Sequence, residues 1–493
     1  MHTPIDTVRG MHDVLPDEYR AVQQVRRQLV GLIEHYGYEF LDLPIVEYRN
    51  LYLRKLGEEL VGKVYEFDAG GRELALRPEW TASVLRAYVA HMQDQPLPLR
   101  LAYSGPVFRY ERPQRLTYRQ FTQFGVEMIG GTVPRADAEV LALACAGLAA
   151  AGISGYRVLV GHIGLVRQML APLGLEERTL GVLIWNLDRM REQGVEAVRE
   201  RLHELRDETP IDPTLLEGLD DEQATRLLLH TMDEIRVSLS LGTRPPEEIV
   251  QRLVRKLRRG DPQPRIERAL VLLERLCQIR GTPAEALPRL TALLEEADLY
   301  TPALDEVRTL LPLFTAHGVP QERVQIDFGL GRGLQYYTGL IFEIYDQHGY
   351  QLCGGGRYDD LVTALGGRQS TPAVGFSYGL ERVAAASNGA ATLPQERGVL
   401  VVPVDDADYP YALEVAQRAR SAGMIAMVDV RGRGVAGNLR DAARRNLHAV
   451  ALVGSDERAQ QMVRWRDLAT RQERLIALDA VAAQVSAEPG VVQ

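Results

Sequence analysis

Apolar positions along the chain change their period several times. Between Glu18 and Tyr36 the residues Val25, Leu29, Leu32 and Ile33 fall on one helical face, and Gly37 ends that helix. Tyr38-Glu-Phe-Leu-Asp-Leu-Pro-Ile-Val-Glu then reads as a strand, with Pro44 at an edge or bulge position. Leu101–Ser104 and Phe121–Ile129 alternate with aromatic and β-branched residues, whereas Arg112–Thr117 between them holds a proline and little apolar pattern. This predicts an antiparallel hairpin with a long loop. Val140–Ile153 is a continuous apolar run, too short to span a bilayer and suited to a buried helix. From about Val166 to Pro320 the spacing is helical, broken at Gly242-Thr-Arg-Pro-Pro and Gly260-Asp-Pro-Gln-Pro. Sheet signals return over Val324–Tyr345, and Ala373–Val383 reads as a strand running into a helix. After a linker at Ser387–Glu396 come strand Val399–Pro403, helix 411–423, strand Met424–Val430, helix 435–446 and strand Ala449–Gly454, a β/α alternation with a mixed or parallel sheet.

Composition changes this picture little. A chain of 493 residues, 46% hydrophobic and 25% charged, holds two to four domains with ordinary cores. A net charge of −9 gives no global attraction to nucleic acid, so any RNA site must be a local basic patch. One such patch is Arg431, Arg433, Arg440, Arg444 and Arg445 in the last segment. Cys145, Cys277 and Cys353 lie far apart and make no metal-ligand spacing. Three cysteines without a signal peptide fit a cytoplasmic protein with no membrane association.

The strongest candidate chemistry lies in Pro106–Gly130. There Arg109, Arg112, Arg115 and Arg119 alternate with Glu111, Gln114, Gln120, Gln123 and Glu127. Guanidiniums gathered near one loop suit a polyanion such as a nucleoside triphosphate, because arginine makes paired bonds to phosphate oxygens and stays charged. Downstream, the triplet Gly354-Gly355-Gly356 lets backbone approach a ligand closely.

The order FRxERPQ…RQFxQ…E in this stretch resembles motif 2 of class II aminoacyl-tRNA synthetases, in the form found in histidyl-tRNA synthetases. Companion elements follow the same family. RGxxDxLPxE over Arg9–Glu18 and YGYxxxxxPxxE over Tyr36–Glu47 resemble its opening, with Pro44 at the dimer-forming motif 1. Leu74-Ala-Leu-Arg-Pro-Glu-Trp-Thr-Ala is similar to its LRPEGTA element. RGLxYYTGxxFE over Arg332–Glu343, GGGRYDD over Gly354–Asp360 and the motif 3 stretch Ala373–Val383 complete the set. The resemblance implies an α+β fold, in which an antiparallel class II synthetase sheet flanked by helices carries a helical insertion. A C-terminal α/β anticodon-binding-like domain follows. Residues 1–165 and 321–386 form the two parts of the catalytic core, 166–320 the insertion and 396–490 the C-terminal domain.

The family pattern also implies activity and site. L-Histidine would be activated with ATP and Mg²⁺ (the metal carried by ATP, with no resident metal site) and transferred to tRNA(His) by a homodimer. Arg109 and Arg332 would bracket the α-phosphate, Arg382 would hold the γ-phosphate, and Glu111 and Arg119 would surround the nucleotide. Glu79, Thr81 and Gln123 would fix the amino acid's amino and carboxylate ends. Glu127 and Tyr337, with Tyr336 beside it, would read the imidazole. Gln114 would meet the tRNA acceptor end, and Arg440 and Arg444 the anticodon arm.

The chain departs from the pattern in three places. Trp80 stands at a glycine position, which puts an indole beside the substrate; Leu116-Thr117 replaces Gly-Arg; and the loop after Gly57 is short. These, with Gly161-His-Ile-Gly-Leu, are similar instead to the non-catalytic regulatory subunit of ATP phosphoribosyltransferase. That relative senses histidine on the same fold and would pair with a phosphoribosyltransferase catalytic subunit.

Overall fold

The computed structural model describes residues 5–53, 62–207, 219–234, 250–251, 254, 261–331, 336–387 and 398–485. The chain divides into two compact units, Met1–Gly389 and Ala390–Gln493. Among the described residues no helix is long and apolar enough to cross a membrane. The short loop after Gly57 and the linker fall largely outside the described residues, as does the turn at Gly242.

In the first unit the strands are β1 (Glu39–Phe40), β2 (Val46–Tyr48), β3 (Glu66–Ala69), β4 (Arg72–Leu76), β5 (Leu99–Phe108), β6 (Gln120–Ile129), β7 (Arg157–His162), β8 (Arg280–Gly281), β9 (Val324–Asp327), β10 (Leu340–Tyr345), β11 (Gln351–Arg357) and β12 (Ala373–Gly379). Nine of them form one sheet in the order β1-β5-β6-β12-β11-β10-β7-β9-β8, while β2-β4-β3 form a small separate sheet. The large sheet is antiparallel apart from the β1–β5 and β7–β9 pairs. The expected hairpin is present, with β5 and β6 in register from Leu99↔Ile129 to Phe108↔Gln120. Tyr38–Glu47 is not one strand, however. Its first part pairs with β5 and its last part joins the small sheet, because Pro44 between them has no N–H to continue a ladder.

Strand alternation sorts the side chains of the sheet. Phe124, Val126 and Met128 of β6, with Val374 and Tyr378 of β12, bury themselves under two helices, Pro16–His35 and Arg135–Ala150. The first helix presents Val22, Val25, Leu29 and Ile33 to this layer, and Gly37 at φ +76° closes it. The second helix contains the apolar run read from the sequence. On the opposite side Leu101, Tyr103 and Val107 of β5 join a core shared with the helix Thr81–His91 and with helices of the 163–316 region. That region is helical as expected, from Ile163–Leu170 to Pro302–Ala316, with the two-residue β8 its only strand among the described residues.

A buried ion pair ties the helix Arg135–Ala150 to β11, more than two hundred residues later. Arg357 is 2% exposed and Asp137 fully buried; Nε donates to Oδ1 at 2.9 Å and Nη2 to Oδ2 at 2.6 Å. Nη1 also donates to the Gly131 carbonyl and to Asp359.

The second unit is a five-stranded mixed sheet, β14-β13-β15-β16-β17, with β13 (Gly398–Pro403) parallel to β14 (Ile425–Val428) and to β15 (Ala449–Val453). Val399 and Val401 face one core, Leu400 and Val402 the other, so the central strand is covered on both sides. Antiparallel β16 (Met462–Asp467) and β17 (Glu473–Ala477) extend the sheet beyond what the pattern shows, because Met-Val-Arg-Trp-Arg-Asp hides its alternation under arginines.

Asp137→Ala leaves a guanidinium buried without its counter-ion, which costs about 3–5 kcal/mol. Urea unfolding of this variant is expected to show a loss of that size; a loss under about 1 kcal/mol would show that the pair does not hold the helix to the sheet.

Candidate active site

The site grows from the face of β6 and β12 that points away from the two covering helices. Gln123, Gly125 and Glu127 of β6 lie opposite Gly379, Ser377 and Gly375 of β12. Small residues on β12 are needed here. A Cβ at Gly375 would sit 1.8 Å from Glu127 Oε2, and one at Gly125 would sit 2.4 Å from the Phe376 carbonyl oxygen.

A cleft of about 1020 Å³, part of it continuous with solvent, opens over this seam. Its walls include Glu79, Thr81, Arg109, Glu111, Gln123, Tyr336, Tyr337 and Arg382, eight of the residues singled out in the sequence. Three others of that set lie elsewhere. Glu127 sits one layer behind the wall, Arg119 at the base of the hairpin and Gln114 at its tip, while Arg332 is outside the described residues. Tyr118, Tyr358, Ser377 and Glu381 also face the cleft. All four lie in stretches marked in the sequence, though none was singled out there by itself.

Glu79 and Thr81 are held by the start of the helix Thr81–His91. Glu79 Oε1 accepts the Ala82 N–H at 2.9 Å, while Oε2 is buried with no hydrogen-bond partner among the described residues. Gln123 Oε1 is in the same condition. Two buried acceptors without donors among the described residues, both on residues that line the cleft, suit an N–H-bearing group. Burial raises the Glu79 carboxyl above the usual carboxylate range, with Arg109 opposing that shift.

Glu127 is the most enclosed acidic side chain of the site. Thr81 Oγ1 and the Tyr103 hydroxyl donate to Oε1 at 2.7 and 3.0 Å, and the Tyr358 hydroxyl donates to Oε2. Burial, with the nearby charge of Glu79, pushes its carboxyl up to about 8, the hydroxyl donors offsetting only part of this.

Two arginines, Arg109 and Arg382, also line the cleft. Arg109 Nε donates to the Pro78 carbonyl at 2.8 Å, with its guanidinium 5.4 Å from the Phe121 ring centre. Arg382 reaches across to the hairpin loop, donating to Leu116 O (2.8 Å), Thr117 Oγ1 (3.2 Å) and Gln351 O (3.1 Å). Arg119 instead locks the hairpin base. It donates to the carbonyls of Glu111 and Arg9 and stacks 3.9 Å from the Tyr110 ring centre.

In the second unit the basic patch is partly neutralised. Asp441 pairs with Arg433 and Arg445 at 2.9 Å, and these two arginines hold its carboxyl at about 2; it also lies 3.6 Å from Arg444. Arg431 and Arg440 are exposed, with no side-chain ion pair among the described residues.

Residues 10–234 and 250–383 match the family model of histidyl-tRNA synthetase, and 398–488 that of an anticodon binding domain. The chain belongs to the histidyl-tRNA synthetase family. The histidine–tRNA ligase of Methanocaldococcus jannaschii is 32% identical to it over 96% of this chain and 97% of that protein. The corresponding ligase of Thermococcus kodakarensis is 31% identical over 98% of each. Among solved structures, a Bacillus halodurans C protein described as an ATP phosphoribosyltransferase regulatory subunit/histidyl-tRNA synthetase is 25% identical. It covers 92% of this chain and all of that one, with a TM-score of 0.64. The histidyl-tRNA synthetase of Nostoc sp. PCC 7120, 20% identical with a TM-score of 0.64 over 98% and 99%, shares the fold.

Within this family the structure reinterprets the chain's departures. The indole of Trp80 is not beside the cleft. It is fully buried, stacked against Tyr103 with the Arg77 guanidinium over its ring, and does not line the cleft. Leu116 occupies the glycine position of a tight turn, Gln114–Thr117, at φ +57°. Gly161-His-Ile-Gly-Leu makes a helix start: His162 Nδ1 accepts the Leu165 N–H at 3.0 Å and Nε2 lies 3.3 Å from Glu306. None of these five residues lines the cleft.

The shifted Glu127 has a consequence for stability. Its folded pKa lies above the unfolded value, so the stability it contributes is complete below about 4.5 and lost as pH rises through about 8. Denaturant unfolding at a series of pH values is expected to show a decline between pH 5 and 8 that is shallower in Glu127→Gln; parallel profiles would mean that Glu127 is ionised in the folded protein.

Proposed function

We propose that this chain is a histidine–tRNA ligase, which activates L-histidine with ATP and passes it to tRNA(His). The observation that carries the reading is the pair of donor-less acceptors, Glu79 Oε2 and Gln123 Oε1, in one cleft with Arg109 and Arg382. Those acceptors suit an α-ammonium group, and the guanidiniums suit phosphates. The curated ligase relatives align along nearly the whole chain, C-terminal unit included, which favours this reading over a regulatory subunit.

In the first step a histidine carboxylate oxygen forms a bond to the α-phosphorus, and the bond to the bridging oxygen of pyrophosphate breaks. Negative charge grows on the phosphoryl oxygens, so the protein's contribution is alignment and cationic stabilisation. Glu79, Thr81 and Gln123 hold the amino acid, and Arg109, with Arg332, faces the α-phosphate. Arg382 exchanges its contacts to Leu116 and Thr117 for the triphosphate tail. Tyr337, with Tyr336 packed against it, reads the imidazole from the wall, and Glu127 reads it from behind through Thr81 and Tyr358. A buried polar site of this kind rejects side chains that leave its groups unpaired. Arg119 acts on the nucleotide indirectly by fixing the hairpin, and Glu111 lies on the wall beside it. Mg²⁺ comes with ATP. Glu111, paired with Lys63, and Glu381, which accepts the Thr122 N–H, are the carboxylates lining the cleft that would meet it as hard oxygen donors, and it would neutralise phosphate charge.

Residues 1–165 and 321–386 serve as the catalytic core, with 166–320 inserted between them. Residues 396–490 serve as the anticodon-arm platform, Arg440 and Arg444 contacting phosphates and Gln114 at the hairpin tip meeting the acceptor end. The setting is the cytoplasm, where its substrates lie.

Purified protein is expected to exchange labelled pyrophosphate into ATP only when L-histidine is present, and Arg382→Ala to slow that exchange by about two orders of magnitude. The double change Arg440→Ala/Arg444→Ala is expected to slow aminoacylation and flatten its salt dependence with exchange intact, since phosphate contacts release counterions. Histidine binding without any exchange would reject the ligase reading and favour the regulatory one.

The active form is a homodimer. Around Pro44, the small sheet leaves Ile45, Val46, Tyr48 and Phe67 each at least 40% exposed, an apolar patch suited to self-association. Light scattering at micromolar concentration is expected to give twice the chain mass, reduced to one by Val46→Asp/Tyr48→Asp. A monomeric wild type would remove this assignment.

A further inference from the structure

Trp80 lies outside the cleft, yet it is the hub of a stack that ends on the site's buried carboxylate. Its ring lies 4.9 Å from that of Tyr103 at an interplanar angle of 10°, and the Arg77 guanidinium covers its other face at 3.5 Å. Arg77 and Trp80 are each tied to backbone, which fixes the stack against Tyr103. Arg77 donates to the carbonyls of Pro106 and Leu43, both at 3.0 Å, and Trp80 Nε1 donates to Gly105 O at 3.3 Å. Gly105 leaves the room required; a Cβ there would lie 2.8 Å from Trp80 Cζ2. Tyr103, pressed flat by the indole, has one polar atom, and that hydroxyl donates to Glu127 Oε1. The chain neighbours of Trp80 are Glu79, which holds a donor-less oxygen toward the cleft, and Thr81, which donates to the same Glu127 oxygen.

We infer that Trp80 is a positioning residue for amino-acid recognition: it fixes Tyr103 and Thr81 on Glu127 and the aim of Glu79, through a stack that never touches the ligand. This rests on the reading of the cleft as a histidine site. The family pattern places glycine here, which cannot fill the slot between Arg77 and Tyr103. In this chain, therefore, the second layer of the amino-acid pocket is built from an aromatic stack. Among the described residues no hydrogen bond or ring contact joins the indole to Arg382 or to the hairpin loop 109–119.

Calorimetric titration of the full chain with L-histidine, and separately with ATP, tests the assignment. Trp80→Gly is expected to weaken histidine binding about tenfold or more while ATP binding stays within about twofold, the stack being worth roughly that factor. Trp80→Phe, which keeps a flat ring against Tyr103, is expected to bind histidine within about threefold of wild type. Tyr103→Phe removes only the hydroxyl. It is expected to weaken histidine binding about fivefold, and in combination with Trp80→Gly to add little, since both changes break one coupling. Wild-type affinity in Trp80→Gly, equal losses for histidine and ATP, or no recovery in Trp80→Phe would each overturn the proposal. If Trp80→Gly lacks a cooperative melt, Tyr103→Phe decides, and unchanged histidine affinity there overturns it. Wild-type protein that binds histidine but exchanges no pyrophosphate would sink the ligase reading and leave this one to the variants; wild type that binds no histidine sinks both.

Discussion

The site depends on one seam, the pairing of β6 with β12. These strands lie on either side of the long helical region, and in register they set Gln123 and Glu127 against Gly379 and Gly375. The glycines are the condition for this: with a Cβ at Gly375 the Glu127 carboxylate would have no place. The Asp137–Arg357 pair holds the same seam from the side, joining a helix of the first part to β11 of the second. Closing so long a loop is slow and entropically costly, and the buried pair and the aromatic core on the far face offset that cost.

Electrostatically, the cleft sets buried carboxyl groups beside guanidiniums. Burial raises the carboxyl groups of Glu79 on its wall and Glu127 behind it, while Arg109, tied to the Pro78 carbonyl, opposes the shift of Glu79, and Arg382 lines the same cleft. Such a mixture suits a ligand that carries both an ammonium head and phosphates, which is the arrangement of an amino acid meeting ATP. The carboxylates are not left to repel each other freely. Hydroxyls of Thr81, Tyr103 and Tyr358 surround Glu127, while the helix start at Ala82 takes one oxygen of Glu79.

The hairpin loop is coupled to motif 3 through backbone. Leu116 adopts a left-handed conformation, which costs a branched side chain about 1 kcal/mol, and Arg382 donates to its carbonyl and to the Thr117 hydroxyl. The replacement of Gly-Arg by Leu-Thr therefore changes the turn's strain and gives Arg382 a hydroxyl partner in place of a second cation.

Much of this was legible in residue order. The hairpin follows from two alternating runs around a proline-containing loop, the long helical region from three- and four-residue spacing, and the C-terminal unit from its β/α alternation. Period is a local property, so it survives without tertiary context. The cationic and acidic residues of the cleft were also readable, because their types and order resemble a family pattern. What sequence could not fix was direction. Trp80 turns into the space between Arg77 and Tyr103, a slot that residues distant in the chain create. Likewise Glu127 stands behind the wall because three hydroxyls from different elements converge there, and Arg433, Arg444 and Arg445 gather around Asp441 because one helix turn and one loop meet at it. Chain order determined which residues were available; long-range packing, which sets the empty volume and the local dielectric, determined where each one points and what charge it bears.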